Sequence, residues 1–124
     1  MNIGKTGEKG EKLAARFLEK KGYTIIAKNF QTRFGEIDII CRNKEYLVFA
    51  EVKTRSGQYL VSGRDAVGTA KQQRILKAAI QYMQNDPVEL QPRFDVVEVV
   101  FGDKECQIEH IENAFDAGGL YGLF

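Results

Sequence analysis

The sequence is poor in the residues that anchor disulfide, zinc and membrane proteins. Two separated cysteines, Cys41 and Cys106, cannot build a disulfide framework, and neither belongs to a Cys-x-x-Cys pair. The lone histidine, His110, has no cysteine or histidine neighbour at zinc spacing, which makes it a structural or an exposed side chain. No apolar run approaches the roughly 20 residues that cross a bilayer. The opening Met1-Asn2-Ile3-Gly4-Lys5 lacks the apolar stretch of a secretion signal. The expected compartment is the reducing cytoplasm, with both cysteines acting as small buried hydrophobes.

Charge of one sign is also missing in bulk, but not locally. The net charge of +1 divides into +3 over residues 1–41, +5 over 42–85 and −7 over 86–124. A basic body with an acidic last third permits one face to meet a polyanion, because local field matters more than net charge. What is present in quantity is core-forming material. With 44% hydrophobic and 28% charged residues in 124, the chain reads as one globular domain (1–124) able to hold a core without disulfides. An apolar, glycine-rich tail at 113–124 follows it.

The spacing predicts a helix over Gly7 to Lys21, stopped by Gly22. Ala14, Phe17 and Leu18 make its inward stripe, and Lys9, Lys12, Arg16 and Lys20 face water. Glu11 lies at the edge of that stripe, either favouring the helix macrodipole or serving a site. A short strand, Tyr23 to Ala27, follows.

Phe34 to Cys41 and Tyr46 to Lys53 are rich in β-branched and aromatic residues, and Arg42-Asn43-Lys44-Glu45 supplies the turn of a hairpin. Alternation puts Glu36 and Asp38 on one face, and Phe49, Glu51 and Lys53 on one face. With the loop centred on Asn43-Lys44, Glu36 faces Glu51, Asp38 faces Phe49, and Asp38 lies diagonal to Glu51 at roughly 7–8 Å. Opposed like charges destabilise a sheet, and desolvation adds to the cost. A bound cation is the simplest compensation; the alternative is a solvent-exposed polar face with Lys53 in a surface ion pair.

Thr54 to Gly63 reads as a loop carrying Arg55 and Tyr59. A second helix is expected from about Asp65 to Gln84, with Val67, Ala70, Ile75, Ala78, Ala79, Tyr82 and Met83 as its apolar positions. Lys71 lies along that stripe with Arg74 beside it, either snorkelling or facing the acidic patch and a phosphate. Arg93 to Phe101 reads as a strand, and Cys106 to Ile111 as a last edge strand. Asp95 faces either the site or solvent.

Carboxylate oxygens without histidine or thiolate select a hard cation, Mg²⁺ or Mn²⁺. Asp38 and Glu51 are the candidate ligands, with the Val52 carbonyl as a third. A metal there would lower the pKa of a bound water and polarise a phosphoryl group. Lys53 is placed to position that water or offset developing charge. The pattern fits metal-assisted phosphodiester hydrolysis.

These residues resemble a known family. Asp38, a gap of twelve, then Glu51-Val52-Lys53 looks like the core of the PD-(D/E)XK nuclease superfamily. Gly7-x-x-Gly10-Glu11, Asn29, Gly35-Glu36-Ile37-Asp38, Phe49-x-Glu51-Val52-Lys53-x-Arg55, Lys71 and Arg93-Phe94-Asp95 together resemble the YraN family, a small bacterial branch of it. The likeness spans about residues 7 to 101. Ile37 stands where the superfamily's name expects proline, which supplies no ligand.

The resemblance implies an α/β fold with the restriction-endonuclease-like αβββαβ core, a mixed central sheet flanked by helices. It also implies similarity to archaeal Holliday-junction resolvases, which act on branched DNA as homodimers, and a metal-shell role for Glu11. Glu36 either shares the metal or orients Lys53.

The expected function is a Mg²⁺-dependent DNA endonuclease acting through Asp38, Glu51, Lys53 and Glu11, with Arg55, Lys71 and Arg74 contacting phosphates. The alternatives are a non-catalytic nucleic-acid-binding or assembly module that retains the fold, and a small-molecule metal hydrolase.

Overall fold

The computed structural model describes residues 3–56 and 67–116. The expected loop positions Gly57, Tyr59 and Gly63, the helix start at Asp65 and the tail from residue 117 lie outside these. The element order is α1 (Ile3–Lys20), β1 (Thr24–Gln31), β2 (Glu36–Arg42), β3 (Tyr46–Ser56), α2 (Thr69–Asn85), β4 (Gln91–Phe101) and β5 (Cys106–Phe115). The strands form one sheet in the order β1-β2-β3-β4-β5. Only β3 and β4 pair in parallel, across the α2 connection; the other pairs are antiparallel. This is the expected α/β architecture, an αβββαβ core with β5 added at the edge. Among the described residues no helix is long and apolar enough to cross a membrane.

Alternation sorts the core onto two faces. Phe49, Phe94, Val96 and Phe115 pack with Ile75, Leu76, Ala79 and Tyr82 of α2. Val48, Ala50, Val97 and Val99 pack with Ala14, Ala15 and Leu18 of α1. Both faces of β3 and β4 are thus covered, which is why these strands read as continuous apolar runs. α1 ends as expected at Gly22 (φ +99°): Tyr23 N–H donates to Leu18 O (3.0 Å) and Gly22 N–H to Glu19 O (3.0 Å), the Schellman pattern.

Several boundaries and positions differ from expectation, each for a local reason. β1 continues past Ala27 to Gln31, paired with β2 beyond an irregularity between Ile25 and Ala27; Asn29 takes a left-handed φ of 51°, and Phe30 packs in the α2-side core with Ala27. Within the described residues α2 starts at Thr69: Gly68 is extended, Val67 is buried in the core, and Gln72 Nε2 donates to Val67 O (2.8 Å). Ala70 is exposed in its first turn, and Leu76 takes the core position instead. β5 runs past Ile111 to Phe115, so residues 113–115 belong to a strand rather than a tail. Cys41 is buried but Cys106, on the edge strand, is exposed.

The β2–β3 register is corrected by two residues. Arg42 pairs with Leu47 and Ile39 with Ala50, so Ile40, not Asp38, faces Phe49. The cause lies in the turn. Asn43 Oδ1 accepts the Glu45 and Tyr46 N–H groups (2.9 and 2.8 Å) and Asn43 N–H donates to Tyr46 O (3.1 Å), centring the loop on Lys44-Glu45.

Candidate functional site

A two-residue slip preserves alternation, so Glu51 and Lys53 keep the face assigned to them, but the slip brings Asp38 level with Glu51. The ladder ends at Ile39–Ala50, and beyond it β2 and β3 are joined by a side chain: Val52 N–H donates to Asp38 Oδ2 (2.8 Å). Asp38 and Glu51 therefore meet as carboxyls within hydrogen-bonding reach. Burial first, and the Glu51 charge second, push the Asp38 pKa up to about 7.

Two lysines converge on the same acid. Glu51 is only 4% exposed; its Oε1 lies 3.5 Å from Lys53 Nζ and pairs directly with Lys71 Nζ from the first turn of α2. Burial and the neighbouring Lys71 charge lower the Lys53 pKa. Burial opposes the charge on Lys71 as well, but its bond to Glu51 prevails and its pKa is raised.

α1 delivers Glu11 to the rim. Gly10 makes this possible: a Cβ there would collide with the Thr54 side chain, 3.2 Å from its Cβ, so glycine lets helix and strand touch. With its amide turned to suit both neighbours, Asn29 donates to Glu36 Oε1 (2.8 Å) and to both Glu11 oxygens (3.3 Å each). Burial raises the Glu11 pKa, the Asn29 bond partly reverses this, and the Glu36 and Glu51 charges add to the rise. Glu36 itself pairs across to Gln31 of β1 and is exposed, so it does not face Glu51.

The structure thus brings Asp38, Glu51, Lys53 and Lys71 together, with Glu11 at the margin. Arg55 and Arg74 are placed differently. Arg55 Nε donates to Glu98 Oε1 (2.7 Å), and Arg74 is exposed with its stem against Gly35. Glu98 was missed by the sequence reading. It is fully buried on β4, with Oε2 lacking a partner among the described residues, and its signal was an acid inside Val96-Val97-Glu98-Val99-Val100.

Asp95 faces neither site nor solvent. It is buried on the α1 side, bonded by Arg93 Nε and Nη2 (2.9 and 2.8 Å) and by Asn113 N–H (3.0 Å). Lys21 Nζ donates to His110 Nδ1 (2.8 Å), so His110 Nε2 carries the proton given to Asp95 Oδ2 (2.7 Å). His110 is therefore structural.

Among the described residues no three acidic, histidine or cysteine side chains form a ready-made cage. The oxygen-only pair Asp38 and Glu51, with the Val52 carbonyl, suits instead a hard cation that keeps waters and shares phosphate oxygens. The donor set fits Mg²⁺ or Mn²⁺ better than any thiophilic metal.

An α/β domain with a mixed sheet between helices, and opposed carboxylates at the splayed end of its central hairpin, is the class that fold and site define. Comparison with known proteins places it further. Residues 10–99 match the model of the Uncharacterised protein family UPF0102, the YraN family. The chain is 44% identical to the UPF0102 protein of Syntrophotalea carbinolica, covering 91% of this chain and 93% of the relative. It is 43% identical to UPF0102 protein TTE1452 of Caldanaerobacter subterraneus, covering 93% and 98%. UPF0102 protein FP2501 of Flavobacterium psychrophilum is 43% identical, over 88% and 92%. The chain belongs to UPF0102.

Proposed function

We propose that this protein is a divalent-metal-dependent endonuclease that hydrolyses phosphodiester bonds of DNA, branched DNA among its substrates. The observation that carries the reading is the Asp38–Glu51 pair. Two acids are held against each other beneath Lys53 and Lys71, one with its pKa pushed up to about 7, so their oxygens stand where a divalent cation can replace a proton and a lysine. Asp38, Glu51 and the Val52 carbonyl would hold Mg²⁺ or Mn²⁺, with Glu11 in the outer shell. When bound, the metal supplies an acidified water and a polarised phosphoryl group.

The chain's own groups do the rest. The Val52 N–H fixes the Asp38 carboxylate through a 2.8 Å bond, so its orientation is set before substrate arrives. Lys53, with a lowered pKa beside Glu51, orients a water or shares a proton at the attacked phosphate. Lys71 neutralises Glu51 in the free protein and is 44% exposed, so it can turn from the acid to a phosphate oxygen. Arg55 offers a second cation, held in place by Glu98.

A second reading, a non-catalytic nucleic-acid-binding module, draws on the same Lys71–Glu51 pair, in which a lysine already serves the acid. One assay separates them. Linear, nicked, flapped and four-way DNA are incubated with and without Mn²⁺, beside Asp38→Ala and Lys53→Ala. Metal-dependent cleavage lost in both variants is expected. Binding without cleavage in any metal favours the module, and cleavage that survives both substitutions refutes the assignment.

A further inference from the structure

A second feature lies beside the carboxylate site, where the β1–β2 turn meets the flank of α2. Arg33, Phe34, Lys77, Ile80, Gln81 and Gln84 line a groove of about 630 Å³, and no carboxylate is among these residues. Phe34 is half-buried, with the Arg33 guanidinium 4.8 Å and the Lys77 ammonium 5.9 Å from its ring centre.

Hydrogen bonds tie the turn that carries Phe34. Thr32 N–H donates to Gly35 O (2.9 Å), while Thr32 Oγ1 accepts the Phe34 and Gly35 N–H groups (3.0 and 3.2 Å). Gly35 (φ +155°) presses against Arg74, where an added Cβ would lie 3.3 Å from the arginine Cβ. The groove also lies within reach of the acids: along α2, Lys71 on Glu51 precedes Arg74 and Lys77 by three and six residues, about 9 Å of helix.

We propose that this groove seats one unpaired nucleotide of a DNA strand leading to or from the carboxylate site. The base stacks on Phe34 and takes the place of one cation on the ring, and the released cation pairs the adjoining phosphate. An aromatic face flanked by cations, with no acid in the lining, is the combination that holds single strands without reading sequence. The glutamines offer hydrogen bonds that any base edge can use. The proposal rests on the nuclease reading for the identity of its ligand and deepens it. It makes strand separation, not duplex length, the selected feature.

The test uses fluorescence anisotropy with the full chain carrying Asp38→Asn, without divalent metal, on a blunt duplex and on a splayed-arm DNA of equal length. The splayed DNA is expected to bind more tightly. Phe34→Ala should weaken that binding about tenfold or more, leave the blunt duplex unchanged, and be rescued by Phe34→Trp. Lys77→Gln should lower the salt slope for splayed DNA by about one. Equal losses on both DNAs, no loss on either, or failure of tryptophan to rescue would overturn the proposal. Cleavage by the parent chain is scored separately. A groove that binds splayed DNA in a chain that never cleaves keeps this inference and ends the nuclease reading. Cleavage with unaltered binding in the groove variants does the reverse.

Discussion

Asp38 accepts the Val52 N–H and faces the Glu51 carboxyl, and its pKa is pushed up to about 7 from an ordinary 3.8. A carboxyl raised in the folded state stabilises the fold fully below its unfolded pKa and loses that contribution as pH rises through about 7. At ~1.4 kcal/mol per pKa unit, the upper limit is ~4 kcal/mol, shared with Glu51. Asp38→Asn keeps the acceptor and removes the charge. Its melting temperature should exceed the parent's by roughly 5 °C or more at pH 8, and differ little at pH 4. Mn²⁺ should raise the parent's melting temperature at pH 8 and not the variant's. Glu98 poses the complementary case, since among the described residues its partner is Arg55. Arg55→Ala strands a buried carboxylate and should cost ~2–3 kcal/mol in urea unfolding, less than for a fully buried pair because Arg55 is 29% exposed. Adding Glu98→Gln should recover part of the loss; a double variant weaker than Arg55→Ala would show that Glu98 has other work.

At the scale of elements, the site depends on how closely α1 approaches β3. Gly10→Ala should gain about 1 kcal/mol of helix propensity but lose more to the collision with Thr54, for a net destabilisation of ~1–2 kcal/mol. Thr54→Ala in the same chain should return part of it, and urea unfolding of the three variants checks this. The hairpin itself was legible because its strands are β-branched and its period is two. What could not be read was the turn: Asn43 caps Glu45 and Tyr46 with its side chain, and the register moved by two residues. The slip kept Glu51 and Lys53 on their face, moved Asp38 from diagonal to level with Glu51, and cost the placement of Glu36, now tied to Asn29. In the same way, Val96-Val97-Glu98-Val99-Val100 is buried on both faces, so its sequence carries no amphipathic signal to say where Glu98 or Asp95 points.

For the molecule as a whole, the two faces of the sheet carry acids with opposite pH behaviour. Asp95 lies on the α1 side. Burial would raise its pKa, but bonds from His110, Arg93 and the Asn113 N–H outweigh it and hold the carboxyl below its ordinary 3.8. A lowered carboxyl contributes stability above its unfolded pKa and loses it as pH falls through the folded value. Asp38 does the reverse between pH 4 and about 7. Of these two groups, Asp95 therefore gives the metal-free protein an acid limb and Asp38 an upper limb that falls toward pH 7. Chemical denaturation from pH 2.5 to 8.5 should trace both limbs. Asp38→Asn should flatten the upper limb alone. Asp95→Asn should lower the whole curve, because it weakens a buried network, and should also flatten the acid limb. Saturating Mn²⁺ should lift the upper limb of the parent and leave the acid limb where it was, since Asp38 and Glu51 are the proposed ligands and Asp95 is not. An upper limb that Asp38→Asn leaves unchanged would mean that Asp38 and Glu51 do not repel each other in solution, and the paired-acid site would go with it.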